Sequence, residues 1–315
     1  MLRRKVGGAR PTAAARASSW RIGDPPVIAQ AHAGVIAIDD AKDSRVSIYR
    51  QVRRQVRSAG ETAGETSSCG GDEDVAELHY GSECLRRLRE AQVAGRNVRV
   101  HSVLLSSLAS DAVLRLATTV TPRVYSVDPI LFRTEFQSKA ADTSAGACTF
   151  SVGFPLSRPL RQLRPPFLIL DGLVSPRNIG QILRTAFHLG VCSVVASTST
   201  WRGINGRAAR SSVGWLYHMD FHRADDLAAA LLELREHGVK IYAAENHFTE
   251  VVQPHAPRGT CDWALILGSE EKGLSRDSRS LCDVRVRVPQ RGGESLNVGH
   301  AASICLYELG RNMEG

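Results

Sequence analysis

The sequence predicts an α/β protein of two domains, and three observations carry the prediction. At 315 residues the chain has room for two ordinary domains. From Phe167 onward, short β-branched apolar runs alternate with stretches of helical period, the pattern of a parallel sheet covered on both faces. Upstream of that, roughly a hundred residues alternate more loosely, as a small α/β domain does. A composition of 43% hydrophobic and 23% charged residues is that of a folded chain rather than a disordered one.

Taken in order, residues 34–57 open with the strand-like Gly-Val-Ile-Ala-Ile-Asp and continue as a basic helical pattern from Arg45 to Arg57. Residues 58–74 are rich in Gly, Ser, Thr and acid without apolar period, which predicts a surface insertion. Ser82–Ala91 has helical spacing, Val98–Leu105 reads as a strand, Ser107–Ala117 as a helix, and Val124–Val127 and Ala147–Phe154 as strands. The first domain is thus expected over 34–156, followed by a Pro- and Arg-rich linker at 157–166. The second domain, 167–315, is expected to hold strands at Phe167–Leu170, Ser193–Ala196, Val239–Ala243, Trp263–Leu267 and Val284–Val288, with a further one near Tyr217–Phe221. Its helices are expected at Asn178–Leu189, Ala224–His237, Ser275–Leu281 and Ser295–Arg311.

The net charge of +8 is concentrated at one end. Residues 1–60 hold twelve Lys and Arg against four Asp and Glu; the remainder holds twenty-eight of each. Residues 1–22 contain six basic residues and no acid, so 1–33 reads equally as a transit peptide to mitochondrion or plastid or, in the cytoplasm, as a basic arm that touches RNA phosphates or a tail without function. No apolar run approaches the roughly 18 residues of a membrane span, and a soluble protein without membrane partners is expected. The seven cysteines are scattered without metal-ligand spacing, which predicts reduced thiols and no metal site.

Three clusters carry the chemistry. The first is Asp171-Gly-Leu-Val-Ser-Pro-Arg-Asn-Ile-Gly-Gln-Ile-Leu-Arg-Thr-Ala-Phe187: a strand end, a turn and a helix start, with Asn178 as candidate cap and Arg184 placed to face back and grip a phosphate. The second, Leu265-Ile-Leu-Gly-Ser-Glu-Glu-Lys-Gly-Leu-Ser275, sets Glu270 between Gly268 and Gly273, glycines that would let a ligand approach the backbone. The third, Val286-Arg-Val-Pro-Gln-Arg-Gly-Gly-Glu-Ser-Leu-Asn-Val298, opens a long helix of small residues, with Ser295 a candidate cap. Asn297 falls inside the expected first turn, where Asn is a poor helix former. Each cluster alone is also what an ordinary capped helix or tight turn would show. Their order and spacing decide.

In that order they resemble the SpoU (TrmH-type) RNA 2′-O-ribose methyltransferases of the SPOUT superfamily, over roughly Phe167 to Arg311. The carrying elements are Asn178-x-Gly-x-x-x-Arg184-x-Ala, Gly268-x-Glu270-x-x-Gly273 and Ser295-Leu-Asn-Val298. The resemblance implies a C-terminal α/β methyltransferase domain with a deep trefoil knot. It implies S-adenosylmethionine held by backbone groups near Gly268, Val288 and Leu296. The family's catalytic Arg and Asn fall on Arg184 and Asn178, its Glu on Glu270, and its third-motif Ser and Asn on Ser295 and Asn297. It also implies a homodimer with rRNA or tRNA as substrate, and a small N-terminal RNA-binding domain carried by Gly81-Ser-Glu-Cys-Leu-Arg-Arg-Leu and Val124-Tyr-Ser-Val-Asp. One departure is visible: Gly299-His300 follow Val298 where the family usually has Ser. Of other classes, a dinucleotide-dependent dehydrogenase lacks its Gly-x-Gly-x-x-Gly turn, and the histidines (His188, His218, His222, His300) show no partnered spacing for hydrolysis. A catalytically inactive RNA-binding or ribosome-assembly protein on the same fold is the alternative.

Overall fold

A computed structural model describes residues 34–50, 76–136, 148–246, 262–291 and 295–311. The arm at 1–33 and the insertion at 58–74 lie outside them, as does most of the basic stretch 45–57.

The first sheet is mixed. Strands β1 (Val35–Ile38), β2 (Ala76–Tyr80), β3 (Arg99–Ser106), β4 (Val124–Val127) and β5 (Cys148–Gly153) take the order β1-β4-β3-β5-β2. The first three of that order run parallel, and β5 pairs antiparallel with both β3 and β2. Helices α1 (Ser82–Val93) and α2 (Asp111–Val120) present Leu85, Leu88, Leu114 and Ala117 to one face of it. On the other face Val46 and Tyr49 pack with Leu104, Tyr125 and Phe132. The strand β2 has no sequence-level counterpart: Ala-Glu-Leu-His-Tyr follows an acidic run and shows too few apolar residues to give a period, and its burial comes from tertiary contacts. The helix expected from Ser107 begins at Asp111, because Ser106–Ser110 form a turn in which Leu108 N donates to Ser106 Oγ.

The second sheet is wholly parallel, with six strands: β6 (Phe167–Asp171), β7 (Ser193–Ser197), β8 (Asp220–Ala224), β9 (Lys240–Ala244), β10 (Trp263–Gly268) and β11 (Val284–Val286), in the order β11-β9-β10-β6-β7-β8. Alternation within β6 explains its covering: Leu168 and Leu170 face one core, Phe167 and Ile169 the other. Helices α3 (Pro176–His188), α4 (Gly206–Ser211) and α7 (Val298–Gly310) cover the first face. Helix α5 (Leu227–Glu236) covers the second, and the short α6 (Arg276–Ser280) adjoins it. Burying these runs supplies the main drive to fold, about 25 cal/mol per Å² of apolar surface.

Several boundaries differ from expectation. The strand expected near Tyr217–Phe221 is β8, shifted C-terminal because Trp215–His218 form a 3-10 turn started by Gly214 at φ +80°. The strand at Val284 stops at Val286, before Pro289. Residues 157–166 are anchored rather than free: Leu160 and Leu163 are buried in the second core, and Arg158 N donates to Phe221 O.

Candidate active site at the sheet's switch point

Chain direction fixes where a site can form. After β6 the chain turns toward β7; after β10, its neighbour, it leaves for the opposite edge. Adjacent strands whose outgoing connections diverge leave a crevice at their C-terminal ends, the usual site of open parallel sheets. Register sets Asp171, the last residue of β6, beside Gly268, the last of β10. The first and second clusters therefore leave the sheet side by side.

Helix α3 starts earlier than its pattern indicates. Its cap is Ser175, whose Oγ accepts from Asn178 N at 3.5 Å, and Pro176 occupies the first turn, where its missing N–H costs nothing. Asn178 is thus not the cap but a first-turn side chain free to reach outward. Its Nδ2 donates to Glu270 Oε1 at 2.8 Å. Its Oδ1 accepts from Asn297 Nδ2 at 3.3 Å. One residue from each cluster, 92 and 119 positions apart in sequence, joins a single hydrogen-bonded line.

The Glu270 carboxylate thus holds Asn178 rather than Arg184. Helix α7 likewise begins at Val298, not Ser295. Asn297 is its N-cap, with Oδ1 accepting from Gly299 N at 2.8 Å, and it stands outside the helix. A residue that looked misplaced in a first turn is in the position Asn most favours. Ser295 is exposed in the preceding irregular stretch and caps nothing. The Gly299 departure fits the same geometry: a Cβ there would lie 3.1 Å from Asn297 Oδ1 and 3.4 Å from Gln181 Oε1.

Arg184 lies nearly two turns beyond Asn178, about 9 Å along the axis. It is exposed and has no hydrogen-bond or ion-pair partner among the described residues. Asn178, Glu270 and Asn297 are brought together; Arg184 and Ser295 stand apart from that line. Gly268 is required by the turn itself. Ser269 and Gly273 bond reciprocally at 3.0 and 2.9 Å, so a Cβ on Gly268 would lie 2.2 Å from the Gly273 carbonyl carbon. Val288 is half-buried and Leu296 is exposed, on irregular backbone at the C-terminal edge of the sheet.

Further side chains at this edge escaped the sequence reading. Asp171 Oδ2 accepts from Ser275 N at 2.9 Å. Glu245, at the end of β9, is 4% exposed; its Oε1 accepts from Leu274 N and from Arg279 Nη2 at 2.8 and 2.9 Å. Gln290 Nε2 donates to Asn246 Oδ1 at 2.6 Å, tying the segment after β11 to the end of β9. The signal available for these was an acidic or amide residue ending each strand. Nucleophilic thiols are absent from the described part of the site: burial pushes Cys84, Cys282 and Cys305 up to about 12. Among the described residues no group of His, Cys, Asp and Glu is placed to hold a metal ion.

A parallel six-stranded sheet with amides and a carboxylate gathered at its switch point defines an α/β protein of the type that works on a ligand at its strand ends. Solved structures of the same fold include the SpoU methyltransferase AviRb from Streptomyces viridochromogenes, 22% identical, covering 87% of this chain and 98% of that one with a TM-score of 0.65. Another is an rRNA methyltransferase from Sinorhizobium meliloti, 20% identical over 90% and 100%, with a TM-score of 0.67. Residues 165–307 match the model of the SpoU rRNA Methylase family. Sequence relatives include the 23S rRNA (guanosine-2′-O-)-methyltransferase RlmB of Bordetella pertussis, 35% identical over 149 residues, which are 47% of this chain and 60% of that protein. A putative TrmH family tRNA/rRNA methyltransferase, YacO of Bacillus subtilis, is 34% identical over 47% of this chain and 59% of its own length. The chain thus spans about three fifths of the curated relatives it matches.

Proposed function

We propose that this protein transfers a methyl group from S-adenosylmethionine to a ribose 2′-OH of RNA, with rRNA or tRNA as the substrate class. The observation that carries the reading is the line Glu270–Asn178–Asn297, which joins all three clusters at the switch point. The SpoU rRNA Methylase family model matches the segment in which that line lies.

The residues present fit the methyl donor. Irregular backbone at 287–291 and 295–297 offers main-chain groups outside the strand ladders, and Leu296, 39% exposed, offers apolar contact for an adenine. Main-chain groups around Gly268, Val288 and Leu296 would hold it; when bound it supplies a methyl already activated on a sulfonium. The acceptor is the harder half, because a ribose hydroxyl is a weak acid and must be oriented and relieved of its proton. Arg184, exposed and with its side chain unpaired among the described residues, would bind the hydroxyl or the adjacent phosphate and stabilise the developing alkoxide. A guanidinium is a poor base in proteins, so the contribution of this side chain is charge and orientation. Asn178, pinned by Glu270, and Asn297 would align the ribose, with Ser295 contributing a hydroxyl from the same edge.

Threading of the C-terminal segment into a knot and pairing into a homodimer belong to the same reading. Helix α7 leaves Ile304 and Tyr307 exposed, an apolar face that a second copy would cover.

The test is methyl transfer by the purified full chain from labelled S-adenosylmethionine to cellular RNA fractions, followed by mapping of the 2′-O-methylated nucleotide. Arg184→Ala is expected to lower kcat by two orders of magnitude or more, about 2.7 kcal/mol of transition-state stabilisation. No transfer to any fraction, together with no binding of S-adenosylmethionine, would leave an RNA-binding protein without catalysis.

A further inference from the structure

Helix α3 leaves a gap at the switch point between its pinned end and its free cation. Asn178, held by Glu270 and Asn297, stands on one side of the gap, and the exposed Arg184 on the other. Gln181 falls midway. Three residues of helix rise about 4.5 Å and stop about 60° short of a full turn. Gln181 is one such step beyond Asn178 and one before Arg184, so it lies between them both along the axis and around it. Its side chain is exposed, and its amide makes no hydrogen bond to another described residue.

The departure at Gly299 belongs to the same place. Helices α3 and α7 meet along a seam in which Ser303 Oγ lies 3.4 Å from Thr185 Oγ1. Four residues earlier on both helices, Gly299 lies against Gln181. Gly299 is buried, and a Cβ on it would stand 3.9 Å from Gln181 Cβ but 3.4 Å from Gln181 Oε1. The contact with the stem is ordinary; the contact with the amide oxygen is tight. A side chain at 299 would press on the amide, whereas glycine leaves it room. The chain thereby keeps one neutral donor and acceptor on the edge between Asn178 and Arg184.

We infer that Gln181 is a further catalytic residue of the methyl transfer, holding the acceptor ribose between Asn178 and Arg184. Its Oε1 accepts from the 2′-hydroxyl, and its Nε2 donates to a neighbouring oxygen of the same nucleotide. This role rests on the methyl-transfer reading above. A hydroxyl whose hydrogen is held in place has its lone pairs fixed, and one of them must face the sulfonium methyl for an in-line attack. The bond from ribose oxygen to methyl carbon forms as the sulfur–methyl bond breaks, and the hydroxyl proton leaves to water. An amide does not ionise, so Gln181 supplies orientation only. A carboxylate here would repel the phosphate beside Arg184, and a second cation would duplicate that arginine. Reading the 2′-hydroxyl also makes the site demand ribose rather than deoxyribose.

The experiment uses the full chain, with unmodified rRNA and tRNA transcripts as acceptors and labelled S-adenosylmethionine as donor. Gln181→Met keeps the stem against Gly299 and removes the amide. Its kcat is expected to fall about tenfold, as loss of one neutral hydrogen bond does. Its Tm, and its affinity for S-adenosylmethionine by calorimetry, are expected to match wild type. Gln181→Glu keeps an acceptor oxygen and adds a negative charge. Its KM for RNA is expected to rise about threefold or more at low salt and to return toward wild type as salt screens the phosphates. A side chain that only fills the seam would show neither effect. If wild type methylates RNA and Gln181→Met keeps its kcat, the role is overturned and the methyl-transfer reading stands. Should Gln181→Met fail to fold, Gln181→Glu decides alone: a wild-type KM at low salt overturns the role. If wild type binds the transcripts but methylates none of them, the methyl-transfer reading itself falls and takes this role with it.

Discussion

Asn297 holds two jobs in one side chain, and a pair of substitutions separates them. Its Oδ1 caps α7 and its Nδ2 reaches Asn178. Asn297→Ala removes both; loss of the cap costs about 1 kcal/mol of stability. Asn297→Ser keeps a cap acceptor and discards the amide that reaches across. Thermal denaturation is expected to show Ser close to wild type and Ala lower by a few degrees, while methyl-transfer assays show both reduced about tenfold or more through Asn178. Equal activity of Ser and wild type would confine Asn297 to capping. Glu270 is tied to the same argument: its carboxylate holds the Asn178 amide in the orientation that leaves Oδ1 for Asn297. Asn178, Glu270 and Asn297 were legible as polar residues in clusters that follow strands, and the structure joins them while leaving Arg184 and Ser295 outside their line. Their wiring was not, since a hydrogen bond spanning 119 residues leaves no local trace in sequence.

At the scale of elements, apolar runs located the inner strands β6, β7, β9 and β10 to within a residue or two, because those strands are buried on both faces and their signal is composition. The edge strands β8 and β11 are part-exposed and gave a weaker one. Boundaries failed where a side chain bonded to nearby backbone decides the end, as at Ser175 and Asn297. Close helix approach is a property of the same kind. Gly180 on α3 faces α4 so tightly that a Cβ would lie 2.4 Å from Ala208 O and 2.6 Å from Ser211 Cβ. Neither a backbone carbonyl nor a neighbouring Cβ can give way cheaply. Gly180→Ala is therefore expected to destabilise by about 1–3 kcal/mol. At Gly310, near the end of α7, a Cβ meets nothing closer than Leu189 O at 3.7 Å. Gly310→Ala is expected to be neutral or slightly stabilising, since alanine forms helix better. Chemical denaturation of the two variants checks the contrast. A neutral Gly180→Ala would mean that α3 and α4 can separate without loss.

Over the whole molecule, the two sheets behave as one body because their contact is a core rather than a linker. A single cluster of buried residues runs from Leu85 and Phe150 of the first sheet to Leu168 and Leu306 of the second side. Two glycines permit the approach: a Cβ on Gly206 would lie 2.2 Å from Leu78 O, and one on Gly214 would lie 2.8 Å from Arg87 Cβ. Arg87 lies over the Trp215 ring at 3.8 Å, and Asp220 accepts from both Arg96 and Arg158. At the centre, His79 Nδ1 and Tyr217 Oη share a hydrogen bond of 2.5 Å, both side chains being fully buried. Burial pushes the Tyr217 hydroxyl well above its ordinary value, so it stays protonated at any working pH. Tyr217→Phe keeps the ring against Phe154 and removes only the hydroxyl, leaving His79 Nδ1 buried without its partner, at a cost of about 1–3 kcal/mol. Because the interface belongs to the shared core, the loss is expected to lower one unfolding transition of the whole chain by a few degrees, as read by calorimetry. Two separated transitions in wild type, with only one of them moved by Tyr217→Phe, would show that the sheets unfold independently.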